Sequence, residues 1–66
     1  MTIYVNGEQQ EYEADFSVQQ LLEAVGVNPD RVVVELNRTI LSQSDFSATF
    51  LKQSDRLELI QFVAGG

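Results

Sequence analysis

The sequence predicts a small two-layer α+β domain, with one helix lying across one face of a four- to five-stranded sheet. Three observations predict it. Asn6-Gly7 separates two short strand-like segments, a strong hairpin signal because both turn positions take positive φ. A single segment carries helical periodicity between a start signal and a stop signal. Two further runs, 32–36 and 56–63, are β-branched or aliphatic enough to be strands. One helix covers only one face of a sheet, so the layers number two.

The first strand alternates, Ile3 and Val5 on one face and Tyr4 on the other. After the turn, Gln9 to Glu13 reads as the returning strand, with Tyr12 inside it. Glu11, Glu13 and Asp15 recur at every second residue. They read as the solvated face of an edge strand rather than as a carboxylate site for a cation or for acid–base work.

The helix is predicted over about Val18 to Val25. Ser17 is a good N-cap, and Gln20 three residues later completes a capping box. Phe16 and Leu21 occupy the positions of a hydrophobic staple. Val18, Leu21, Leu22 and Val25 form one apolar stripe, expected to face the core. Gly26 stands at the C′ position and Pro29 follows soon after.

Val32 to Leu36 is predicted as a central strand. Asn37-Arg38 turns the chain, and Thr39-Ile40-Leu41 is a short continuation. Ser42 to Ala48 reads as a loop with one helical turn and Phe46 plugged beneath it. Thr49-Phe50-Leu51 is expected to form a brief strand. Lys52 to Asp55 is turn chemistry, and Arg56 to Val63 is a long last strand. The first and last strands are apolar enough to be central.

The 66 residues make one domain, 1–66. A chain this short buries only about 60% of its unfolded surface. It has no Cys and no His, so neither disulfides nor an ordinary zinc or haem site supports the fold. Ten acids against four bases give a net charge of −6, which argues against nucleic acid and against an anionic membrane surface. No apolar run approaches the ~20 residues that span a bilayer, and Met1-Thr2-Ile3-Tyr4 has no basic n-region. The expectation is a cytoplasmic protein.

No self-sufficient active site is legible. Without His there is no ordinary base near neutral pH, and without Cys no thiolate. The serines lack an activating partner. The acids do not match a calcium loop. A non-enzyme, with no metal, is expected.

The informative segment is the end, Phe62-Val63-Ala64-Gly65-Gly66. Two terminal glycines arise by composition alone roughly once in two hundred chains, and these follow directly on an apolar strand. Without Cβ atoms such a tail can enter a narrow channel in another protein and present its carboxylate there.

On these residues the chain resembles the ThiS/MoaD sulfur carriers, and most of all the ThiS branch. The likeness spans the whole chain: Ile3-Tyr4-Val5-Asn6-Gly7, the helix with Leu21-Leu22, Val34-Glu35-Leu36-Asn37, the turn from Leu51 to Asp55, and Val63-Ala64-Gly65-Gly66. Two departures stand out. Ser42-Gln43 replaces a frequent Pro-Arg, and Ser54-Asp55 replaces a frequent Gly-Asp.

The resemblance implies a ubiquitin-like β-grasp fold with a mixed sheet and a flexible tail, 63–66. It implies that Gly66 is adenylated and then thiocarboxylated, while Gly65 and Ala64 thread the tail into the partner. The implied partners are a ThiF-type adenylating enzyme using ATP and Mg²⁺, a cysteine desulfurase acting indirectly, and a ThiG-type thiazole synthase as sulfur acceptor. The chain itself is expected to bind no cofactor. Related outcomes are the small subunit of molybdopterin synthase, a ubiquitin-like modifier, or a plain interaction domain.

Strand parity adds a docking surface. Leu57 and Leu59 fall on one face of the last strand, Ile60 and Phe62 on the other. If the helix covers the first, then Ile60 and Phe62, with Val33 and Tyr4, lie on the open face and mark a protein contact. The alternative is that the Ser42–Ala48 loop covers them.

Overall fold

The computed structural model describes residues 1–62. The expected flexible tail, 63–66, lies outside the described residues. Five strands form one mixed sheet: β1 (Thr2–Val5), β2 (Glu8–Glu11), β3 (Val32–Leu36), β4 (Thr39–Leu41) and β5 (Arg56–Gln61), in the order β2-β1-β5-β3-β4. One helix, α1 (Val18–Val25), forms the second layer. Short 3₁₀ turns occupy Pro29–Arg31 and Gln43–Asp45. β5 is the central strand, parallel to β1 and antiparallel to β3. This is the expected α+β architecture.

Both hairpins close through two-residue turns with positive φ at each position. Asn6 and Gly7 lie at 50° and 82°, Asn37 and Arg38 at 50° and 71°. Such turns match the right-handed twist of the strands they join. Thr39 to Leu41 is therefore a separate edge strand, paired antiparallel to β3 from Val34↔Leu41 to Leu36↔Thr39.

β2 ends at Glu11, short of the expected Glu13. Glu11 pairs with Thr2, the first residue of β1. Met1 binds Tyr12 from both its ends: its ammonium donates to the Tyr12 carbonyl at 2.6 Å, and its own carbonyl accepts the Tyr12 N–H at 3.0 Å. Further on, Asp15 at φ 62° leaves the extended region. Tyr12 stacks on Phe16 with ring centroids 4.8 Å apart.

The helix has the expected bounds. Gln20 N–H donates to Ser17 Oγ at 3.1 Å, and Ser17 N–H donates to Gln20 Oε1 at 2.8 Å. At the other end Gly26 takes φ 78°, its N–H bonding the Glu23 carbonyl and the Val27 N–H bonding the Leu22 carbonyl. This is a Schellman stop. It corrects the apolar stripe. Val25 is 37% exposed, whereas Val27, returned by the reversal, is 9% exposed and packs in the core with Leu22. The residue after the cap, rather than the last residue of the helix, completes this end of the core.

Ile3, Val18, Leu21, Leu22, Val34, Phe46 and Leu57 are fully buried between helix and sheet. Phe46 is the expected plug. Its carbonyl accepts the Gln19 N–H at 3.0 Å, so the loop that carries it packs beside the start of α1. Thr49 to Leu51 forms no strand. Only an isolated bridge joins Ser17 and Phe50, because this stretch caps the helix entrance instead of joining the sheet. The Thr49 carbonyl accepts the Val18 N–H at 2.9 Å, and the Leu51 N–H donates to the Phe16 carbonyl at 2.8 Å.

β5 ends at Gln61 rather than at the expected Val63, which lies outside the described residues. Its line is carried one residue further where the Phe62 N–H donates to the Arg31 carbonyl at 2.8 Å.

Candidate functional site: the open sheet face

α1 covers the sheet face that carries Ile3, Val5, Val34 and Leu57, all buried. The opposite face has no second layer of helix among the described residues. Alternation sends every second residue of each strand to it. On β5 these are Arg56, Glu58 and Ile60, with Phe62 next in line. The exposures follow: Leu57 is 1% exposed, Ile60 50% and Phe62 57%. The Phe46 loop, on the helix side, leaves both of these residues accessible.

Register decides which of the four expected docking residues meet. Val33 stands directly opposite Ile60, and Phe62 is two residues further along the same strand. These three form one apolar group at the end of β5 from which the tail departs. Tyr4 lies elsewhere, opposite Arg56. Four residues of strand separate it from Ile60, about 13 Å at the usual rise. Its ring carries the Arg56 guanidinium, with Cζ 4.5 Å from the centroid. Tyr4 and Val33 are half-buried.

Ile40, opposite Glu35 on β4, is 68% exposed and extends the same face. Sequence reasoning named no role for it, although the alternation of Thr39-Ile40-Leu41 was the available signal. Between the apolar end and Tyr4, Glu35 stands opposite Glu58. With Asn37, Arg38 and Arg56 they line a shallow hollow of mixed charge. Like charges directly opposed across a sheet are unfavourable, and Arg38 and Arg56 bring opposite charge to the same hollow. No group of three potential metal ligands occurs among the described residues. Gly66, Gly65 and Ala64 lie outside the described residues.

An apolar end, a charged middle and an aromatic–cation pair share one face of the sheet, and Phe62, the last described residue, belongs to the apolar end.

Known proteins share this architecture. A crystal structure of the thiamine biosynthesis protein ThiS from Geobacter metallireducens superposes with a TM-score of 0.83 at 36% identity, both chains being covered completely. A solution structure of a thiamine biosynthesis protein from the same organism gives 0.79 at 35%, covering all of this chain and 88% of that one. In sequence the chain is 35% identical over 66 residues to a thiazole synthase of Magnetococcus marinus, and it spans 20% of that protein's length. It is 39% identical over 66 residues to the uncharacterized protein ycf40 of Pyropia yezoensis, of which it covers 93%. The ThiS family model matches residues 3–66, and the chain belongs to the ThiS family.

Proposed function

We propose that the chain carries sulfur for thiazole formation on its terminal Gly66. The carrying observation is membership of the ThiS family over residues 3–66, together with the Gly65-Gly66 ending. A free carboxylate repels nucleophiles. A ThiF-type enzyme, holding ATP and Mg²⁺, lets a Gly66 oxygen attack the α-phosphorus, and pyrophosphate leaves. The resulting acyl adenylate is a mixed anhydride with AMP as leaving group. A persulfide sulfur from a cysteine desulfurase relay displaces AMP. A thiol then cleaves the sulfur–sulfur bond, leaving a thiocarboxylate on Gly66 and a disulfide. Thiazole synthase accepts the sulfur. The likeness to a fifth of a thiazole synthase chain supports that acceptor over a molybdopterin partner.

In this reading the chain is a co-substrate. Ala64 and Gly65 pass through the partner's channel. Ile60, Phe62 and Val33 anchor the domain at the channel mouth, and Tyr4 contacts the partner from the far end of the same face. Exposed apolar residues beside a reactive tail suit that task, since buried aromatic anchors dominate many interfaces.

Intact mass spectrometry after incubation with a ThiF-type enzyme, ATP, Mg²⁺ and a sulfur donor tests the reading. The expected product carries one sulfur in place of one oxygen at the C-terminus. Attachment to lysines of other proteins indicates a modifier instead, and an unchanged mass removes the carrier reading.

A further inference from the structure

β1 and β5 run parallel, and their ladder is short. The Tyr4 N–H donates to the Asp55 carbonyl and the Asn6 N–H to the Leu57 carbonyl, both at 2.9 Å. The main chain of β1 then turns away through Asn6-Gly7. β5 continues to Gln61 without it. At this point the Asn6 side chain takes the place of a continuing strand. Its Oδ1 accepts the Leu59 N–H at 2.7 Å, and its Nδ2 donates to the Leu59 carbonyl at 3.4 Å. An amide side chain has the same donor and acceptor as a peptide group, so it can form one further rung.

The other flank of β5 is held by β3 as far as Val32↔Gln61. On the β1 flank, the Asn6 amide makes the last side-chain rung, one residue before Ile60 and three before Phe62. We propose that Asn6 is a positioning residue for tail presentation. Its amide fixes the plane in which β5 leaves the domain, and with it the placing of Ile60 and Phe62 against a partner. This rests on the carrier reading. Asn6 touches neither the reacting carboxylate nor ATP, so its effect falls on productive docking.

The geometry selects the variants. Asn6→Gly keeps a residue at ease with φ 50° and removes the amide. Asn6→Asp keeps an acceptor for the Leu59 N–H and loses the donor, placing a second oxygen near the Leu59 carbonyl. Two readouts are needed. Amide hydrogen exchange reports the rung at Leu59, and ATP-dependent adenylation by a ThiF-type enzyme gives KM and kcat for the carrier.

For Asn6→Gly, Leu59 exchange is expected to accelerate about ten-fold, the scale of one lost hydrogen bond, while Val33 and Ile60 amides stay protected. KM is expected to rise about five-fold with kcat within about two-fold, and Asn6→Asp to fall between Asn6→Gly and wild type. Should Asn6→Gly lose its fold, Asn6→Asp carries the same comparison. Faster Leu59 exchange with a wild-type KM overturns the positioning role, and so does a raised KM with unchanged Leu59 exchange. A wild-type chain that is never adenylated removes the carrier reading and the positioning role together. That result differs from failure of positioning alone, in which wild type and variants react with one KM.

Discussion

The buried carboxylate of Asp55 accepts the Asn37 side-chain amide, Nδ2 to Oδ1, at 3.0 Å. Its other oxygen accepts the Lys52 N–H at 2.8 Å. Asn37 in turn grips the first residue of β5. Its Oδ1 accepts the Arg56 N–H at 2.9 Å, and its own N–H donates to the Arg56 carbonyl at 2.8 Å. Two turns distant in sequence are thereby tied to the start of the central strand.

Replacing Asp55 by Ala leaves the Lys52 N–H and the Asn37 amide without their acceptor. A loss of about 1–3 kcal/mol is expected, the scale of partly buried polar groups left unpaired. Asp55→Asn, which keeps one oxygen but turns an NH₂ toward a donor, should lose less. Urea unfolding measures both, and an unchanged midpoint for Asp55→Ala dismisses the tie.

Leu22→Ala should cost about 2–5 kcal/mol, because the Leu22 side chain is fully buried in the core. In so small a domain that approaches the whole stability, at roughly 5–15 kcal/mol for proteins in general. Thermal melting near that of wild type contradicts the assigned packing.

Ser54 sits at φ 71°, where a side chain is strained. Ser54→Gly removes a strain of about 1–2 kcal/mol and adds about 0.4–1 kcal/mol of unfolded-state entropy, so a net gain below about 1.5 kcal/mol is expected. The Ser54 N–H bond to the Thr2 carbonyl at 2.7 Å is retained. A lowered melting temperature refutes the strain argument.

Phe62→Asp should leave the melting temperature close to wild type, since a substitution at a residue 57% exposed changes stability by about 0.5 kcal/mol or less. Binding to the ThiF-type enzyme, and to thiazole synthase, should weaken by about 2 kcal/mol or more if Phe62 is an interface anchor. Titration of the folded variant decides it, and normal affinity for both partners ends the docking proposal.

Deleting Gly66 withdraws the carboxylate by one residue, about 3.3–3.6 Å of chain. The expected outcome is an unchanged fold and no adenylation. Gly65→Ala should fold as well and react more slowly, because a Cβ enters the channel. ATP-dependent activation of the Gly66 deletion at the normal rate is the contrary result.

What the sequence determined alone is local. Ser17 with Gln20, and Gly26 with the reversal behind it, set both ends of α1, because capping bonds span only three to five residues. Asn6-Gly7 set the first hairpin by its backbone preference. The parity of β5 placed Leu57 inward and Ile60 and Phe62 outward, because side chains alternate on any strand. Membership in the carrier family was legible from the same residues and from the terminal glycines. Tertiary structure decided what depends on distant partners. β2 stops at Glu11, opposite the first residue of β1, and Thr49 to Leu51 turns to the helix entrance although its composition suits a strand. Val27 replaces Val25 in the core because the reversal at Gly26 returns the chain toward Leu22. Tyr4 is separated from Ile60 by the register of β1 on β5, and the Asn6 amide reaches Leu59 across 53 residues of chain. Strand order and register are set by contacts remote in sequence, and no local preference encodes them.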